Sequence, residues 1–158
     1  MKSQRYGQII TLGSLGSIVP MPFESLYCAT KFALRGFCLS LREELRNTGI
    51  AISLISPGPV ETEMLRTEST CDRSTMAFVE RPLDPDDVAD AILRIIRKPV
   101  PEVVLPVRTI LAAFLMSIFP SFFTAAYPLF DLIGGFRLKR YRNRFAPLPS
   151  AASGEPPL

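Results

Sequence analysis

The sequence predicts an α/β protein built on a parallel sheet, and three observations carry that prediction. Short apolar runs at Gln8–Leu12, Ala51–Ser56 and Glu102–Leu105 read as buried strands. Two segments of helical period lie between them, one over about Glu24–Asn47 and one beginning at Asp84. Strand, helix, strand, helix, strand in that order implies right-handed crossovers and strands that run in one direction.

The first strand follows Gly7 and gives way to a loop rich in Gly, Ser and Pro from Gly13 to Pro22. In the helix that follows, Ala33, Phe37, Leu41 and Leu45 step four residues at a time and are expected to face inward. Arg35, Arg42, Glu43 and Arg46 take the other side, and Gly49 is placed to end the helix. Pro57-Gly58-Pro59 closes the second strand abruptly, and a polar stretch runs from Glu61 to Arg81. The second helix has the best start in the chain. Asp84 suits the cap, Pro85 the first helical position, and Asp86 and Asp87 the positive end of the dipole. Leu83 and Val88 have the spacing of a hydrophobic staple, and Ala91, Ile92, Ile95 and Ile96 form the expected inward face.

From Thr109 to Phe130 there are 22 residues without a charge. As a single helix they would reach about 33 Å, close to the roughly 30 Å of a bilayer core. Pro120 and Pro128 interrupt them and Asp131 closes them, so two shorter apolar helical pieces are expected, broken near Pro120. Three readings stand for this stretch: packing within the protein or a subunit interface, a peripheral membrane contact, or a true span. The expectation favoured by the prolines is attraction to membranes without crossing them. Arg137, Lys139, Arg140, Arg142 and Arg144 crowd just beyond, either as a solvated face or as a contact for an anionic surface. The organisation expected is a catalytic part over 1–107, an apolar helical extension with its basic cluster over 108–145, and a disordered tail over 146–158.

Composition narrows the function classes. At 158 residues, 47% apolar and 21% charged, the chain holds one globular domain of ordinary size. A net charge of +3 demands no nucleic-acid partner, and no recognition motif accompanies the basic cluster. Cys28, Cys38 and Cys71 are odd in number and lack metal-ligand spacing, and there is no histidine, so no metal site is expected. A reducing, cytoplasmic setting follows, with membrane association through the apolar stretch as its variant. Met1–Tyr6 is polar and basic with no apolar run behind it, unlike a signal peptide.

Tyr27 and Lys31 lie four apart at the start of the first helix, on one face. A free tyrosine titrates near 10 and needs a neighbouring cation to serve as an acid-base group at neutral pH. Any amphipathic helix carries Tyr and Lys at that spacing by chance, so the pair alone says little. Its context says more. The run Gly7–Ser14 (GQIITLGS), Pro20, Tyr27–Leu34 (YCATKFAL) and Ile52–Thr62 (ISLISPGPVET) resembles the short-chain dehydrogenase/reductase family in order and spacing.

That resemblance covers about Gly7 to Leu105 and fades in the apolar stretch. It implies the later half of a Rossmann-type doubly wound sheet, followed by apolar C-terminal helices. It implies an NAD- or NADP-dependent oxidoreductase interconverting an alcohol and a ketone or aldehyde, and a homo-oligomer in full-length form. Ser14, thirteen residues before Tyr27, would hydrogen-bond the reacting oxygen. Tyr27 would exchange a proton with it, and both would touch the substrate. Lys31 would bind the nicotinamide ribose and depress the Tyr27 pKa. Pro57, Gly58, Val60 and Thr62 would hold the carboxamide and one face of the ring. The apolar stretch adds a lipophilic small-molecule substrate to the expectation.

The departures from the family pattern matter equally. The family's first strand, Gly-rich phosphate loop, ribose-selecting residue and Asn-rich turn all lie upstream of the equivalent of Gln8. Gly13-x-x-Gly16 follows the catalytic strand instead of the opening one, so it is no dinucleotide fingerprint. A strand at Ile9–Leu12 without its neighbours would be an exposed apolar edge. Met1 then reads either as an internal methionine of a longer protein or as the start of a shortened product. The alternative function is a truncated, non-catalytic module that associates with a membrane or a partner.

Overall fold

A computed structural model describes residues 1–145. Strands β1 (Gly7–Leu12), β2 (Ile50–Pro57) and β3 (Glu102–Leu105) form one parallel sheet in the order β1-β2-β3. The tail expected to be disordered, 146–158, lies outside the described residues. β2 is the centre, with Ile52, Leu54 and Ile55 buried. Among the described residues β1 pairs only with β2, Ile9 opposite Ile52, and Ile9 is 38% and Leu12 53% exposed. The apolar edge foreseen from the pattern is therefore present.

Helix α1 (Ser25–Glu44) crosses from β1 to β2, and its inward stripe is rotated from the expected one. Leu34, Cys38, Leu41 and Leu45 pack on Ile50, Ile52 and Leu54, while Phe37 is 62% exposed and Ala33 is exposed. The rotation brings Arg35, expected on the outer side, to Glu102 at the start of β3. Arg35 Nε and Nη2 donate to the two carboxylate oxygens at 2.8 and 2.9 Å. A paired bond of this kind is among the strong ones, and it ties this side of the helix to β3.

The start of α3 (Pro85–Arg97) is as the sequence predicts. Asp84 Oδ1 accepts from the Asp86 N–H at 3.0 Å, and Asp87 Oδ2 accepts from the Asp84 N–H at 3.3 Å. Val88, Ala91 and Ile95 are buried, whereas Ile96, expected inward, is 51% exposed. Ile96 sits one residue past Ile95 and so turns about 100° away from the packed stripe. Between β2 and α3 the polar stretch holds a short helix, α2 (Glu63–Glu68), and a 3-10 turn at Ser74–Phe78.

The apolar stretch forms α4 (Ile110–Ile118) and α5 (Pro120–Phe145), with the break at Pro120 as expected. Pro128 does not end a helix. It lies inside α5, where it cannot donate to the Thr124 carbonyl. Packing on either side holds the helix through it. Phe123 meets the Tyr127 and Phe130 rings at 6.2 and 6.3 Å, and beyond the proline Leu138 and Tyr141 are buried with Leu65 and Phe78. Gly134 lets α5 touch the 3-10 turn, because a Cβ there would lie 2.1 Å from the Thr75 carbonyl oxygen. Asp131 beside it accepts from Thr75 Oγ1 at 2.7 Å. Ala113 and Phe123 share one core cluster with Ile18, Val19 and Val104, so these helices are packed onto the sheet. No helix among the described residues is long and apolar enough to cross a membrane.

Candidate active site

All three strands end at one edge of the sheet, and the predicted residues hang from it. The loop after β1 is stitched to the end of β2. The Gly13 N–H donates to the Ile55 carbonyl at 2.7 Å, and Ser17 Oγ lies 3.1 Å from Ser56 Oγ while donating to the Ser14 carbonyl at 2.5 Å. Ser17 and Ser56 are fully buried. These bonds fix Ser14, whose own Oγ accepts from the Gly16 N–H at 3.1 Å.

Tyr27 stands in the first turn of α1, half-buried against that loop. Gly16 makes the space, since a Cβ there would be 3.1 Å from Tyr27 Cε1. One helical turn on, Lys31 Nζ sits over the Tyr27 ring, 5.5 Å from its centroid. The structure thus brings Ser14, Tyr27 and Lys31 together.

The phenol's titration runs opposite to the expectation from Lys31. Burial pushes the Tyr27 pKa above its ordinary 10, a hydrogen bond with the Ser14 side chain opposes this, and the carboxylates of Glu24 and Glu68 push it up further. Glu24 and Glu68 are close enough for each to shift the other's titration. Burial raises both, and the Glu24 carboxyl helps hold Glu68 at about 7. Nothing in the sequence announces this pair. Glu24 comes from the entry to α1 and Glu68 from the end of α2, and no spacing rule joins positions so far apart.

Pro57, Gly58, Val60 and Thr62 follow β2 on the same edge. The Gly58 N–H donates to the Leu105 carbonyl at 2.7 Å, Val60 bridges to Leu83, and the Glu61 N–H donates to the Leu83 carbonyl at 2.9 Å. The Thr62 hydroxyl caps α2, accepting from the Leu65 N–H at 3.3 Å and donating to the Val60 carbonyl at 3.2 Å. Glu61 is held from outside, where Tyr141 Oη and Arg66 Nε donate to its Oε1 at 2.7 and 3.3 Å. Helix α5 therefore pins the segment between Val60 and Thr62, a link that the sequence did not reveal. The two groups of predicted residues adjoin through the Ser17–Ser56 contact.

Among the described residues no cluster of His, Cys, Asp or Glu is arranged for a metal. A phenol beside a serine hydroxyl, with an ammonium on its ring, is equipped to hold and transfer a proton at one substrate oxygen.

The model of the short chain dehydrogenase family matches residues 1–72. Human 17-beta-hydroxysteroid dehydrogenase type 1 is 34% identical over 121 residues, covering 64% of this chain and 37% of the relative. The 3-oxoacyl-[acyl-carrier-protein] reductase FabG of Rickettsia felis is 34% identical over 97 residues, covering 58% and 39%. A crystal structure of an actinorhodin polyketide ketoreductase variant with NADPH superposes with a TM-score of 0.56 at 27% identity, covering 65% of this chain and 47% of that one. The chain spans about two-fifths of the length of these curated relatives.

Proposed function

We propose that this chain, whose residues 1–72 match the short chain dehydrogenase family, carries the catalytic part of an NAD(P)-dependent oxidoreductase acting on the alcohol or carbonyl of a lipophilic small molecule. The observation that carries this is the grouping of Ser14, Tyr27 and Lys31 at the ends of parallel strands, with Lys31 on the Tyr27 ring.

The residues present suit the nicotinamide end of such a cofactor. Lys31 would hold its ribose, and Pro57, Gly58, Val60 and Thr62 its carboxamide and one ring face. The cofactor would supply or accept the hydride. This chain's own residues do the rest. Ser14 donates a hydrogen bond to the substrate oxygen and steadies the charge that grows there. Tyr27, raised by burial, is kept as the neutral phenol and gives its proton to that oxygen when a carbonyl is reduced. The reverse transfer serves oxidation.

Lipophilic substrate is supported by what flanks Ser14. Leu15, Ile18 and Val19, just after it, share a cluster with Phe114, Met116, Phe123, Tyr127 and Phe130 of α4 and α5. The human relative's name points the same way, to a hydroxysteroid. The homo-oligomer proposed for the full-length protein is supported by the outward face of α1, which leaves Leu26 and Phe37 83% and 62% exposed.

The test is titration with NADH and NADPH in a protein containing this chain, followed by cofactor oxidation with a panel of apolar ketones. Saturable binding and carbonyl-dependent oxidation are expected. Failure to bind either cofactor favours the non-catalytic module.

A further inference from the structure

Helices α4 and α5 turn only one face inward. Leu111, Ile118, Phe122, Leu129, Leu132 and Phe136 are each more than half exposed. On α5, at 100° per residue, Phe122, Leu129, Leu132 and Phe136 fall within about 80° of one another. Arg140 continues that stripe and Lys139 borders it at the C-terminal end, both exposed. The face is apolar along its length and cationic at its tip.

Charge in this part of the chain is one-sided. From residue 103 to 145 the basic side chains are Arg108, Arg137, Lys139, Arg140, Arg142 and Arg144, and the only acid is Asp131. Asp131 is engaged by Thr75. Arg108, Arg137 and Arg142 bond Glu80, the Val79 carbonyl and Asp72. Lys139, Arg140 and Arg144 form no ion pair among the described residues.

Large apolar side chains exposed along one stripe of a helix mark a surface that meets another apolar phase. A second copy is a poor cover for it. Paired antiparallel, two α5 helices would bury each cationic tip on the partner's apolar end, and paired parallel they would set like charges together. An anionic lipid surface suits both features, taking apolar side chains at the acyl boundary and cations among the headgroup phosphates. We propose that the outer face of α4 and α5 docks on an anionic bilayer, with Leu132 and Phe136 inserted and Lys139 and Arg140 at the headgroups. This goes beyond the oxidoreductase reading and does not depend on it.

The 158-residue chain is sedimented with vesicles of phosphatidylcholine alone and of phosphatidylcholine and phosphatidylserine in equal parts. It is expected to pellet with the mixed vesicles and to be released by salt. The double variant Lys139→Glu, Arg140→Glu should bind them about tenfold more weakly or worse. The chain contains no tryptophan, so Phe136→Trp is a lone reporter whose emission should shift to the blue with mixed vesicles. Equal binding to both vesicle types, undiminished binding by the double variant, or unshifted emission would overturn the proposal. So would a chain that ignores vesicles and runs as a dimer, which assigns the face to a second copy. No arm of the test reads enzyme activity, so its failure leaves the oxidoreductase reading untouched.

Discussion

The Lys31 ammonium lies over the face of the Tyr27 ring, 5.5 Å from its centroid. A cation there attracts the ring's π face and remains directed toward whatever binds above the tyrosine. Lys31→Ala is therefore expected to weaken NADH and NADPH binding as well as turnover, while Tyr27→Phe keeps cofactor affinity because the ring remains. Isothermal titration of both variants checks this. Equal affinities would reduce Lys31 to a surface charge.

The Glu24–Glu68 pair gives the site a pH dependence of its own. Burial and the neighbouring Glu24 hold Glu68 at about 7, above its ordinary 4.5. The fold thus prefers the protonated form, and the stability that this form contributes is complete below pH 4.5 and is lost as pH rises through about 7. Glu68→Gln should flatten that decline in thermal unfolding followed across the same range. It should also lower the Tyr27 pKa, since one of the carboxylates that raise it is gone. A decline unchanged by the substitution would show that Glu68 is not the group responsible.

Tyr141 reaches from α5 to Glu61, 2.7 Å from Oη to Oε1, beside Val60 and Thr62. A hydrogen bond to a charged group is worth about 1.5–3 kcal/mol. Tyr141→Phe should remove roughly that much stability and loosen the segment expected to hold the nicotinamide, raising the KM for cofactor more than it changes kcat. Unaltered cofactor KM with lowered stability would make the contact purely structural.

Gly134 is required by its surroundings, with a Cβ meeting the Thr75 carbonyl oxygen at 2.1 Å. Gly134→Ala should cost about 1–3 kcal/mol, as overpacking does. Denaturant unfolding measures it, and a wild-type midpoint would mean that α5 sits farther from the 3-10 turn.

What was legible in the sequence was what local chemistry sets. Asp84, Pro85 and Asp87 announce the start of α3 because a cap is formed by residues within one turn. Ser14, Tyr27 and Lys31 are legible through the family resemblance, and one loop and one helix turn place them. The facing of α1 was not, because Arg35 takes its partner from β3, 67 residues away. Pro128 misled for a similar reason: the local penalty is real, but the clusters that Phe123 shares with Val104 and Leu138 with Phe78, and the Gly134 approach to Thr75, join α5 to distant segments. Glu24 with Glu68, and Tyr141 with Glu61, are meetings made by the fold alone.

The role of Tyr27 as the proton-transferring group is tested most directly by one comparison. NAD(P)H oxidation by an apolar ketone is measured in wild type and Tyr27→Phe, in a protein containing this chain. General acid-base transfer contributes about 10²–10⁴-fold, so the variant's turnover should fall by that factor with cofactor affinity nearly unchanged. Turnover within about tenfold of wild type would contradict it, because a phenyl ring carries no proton to give.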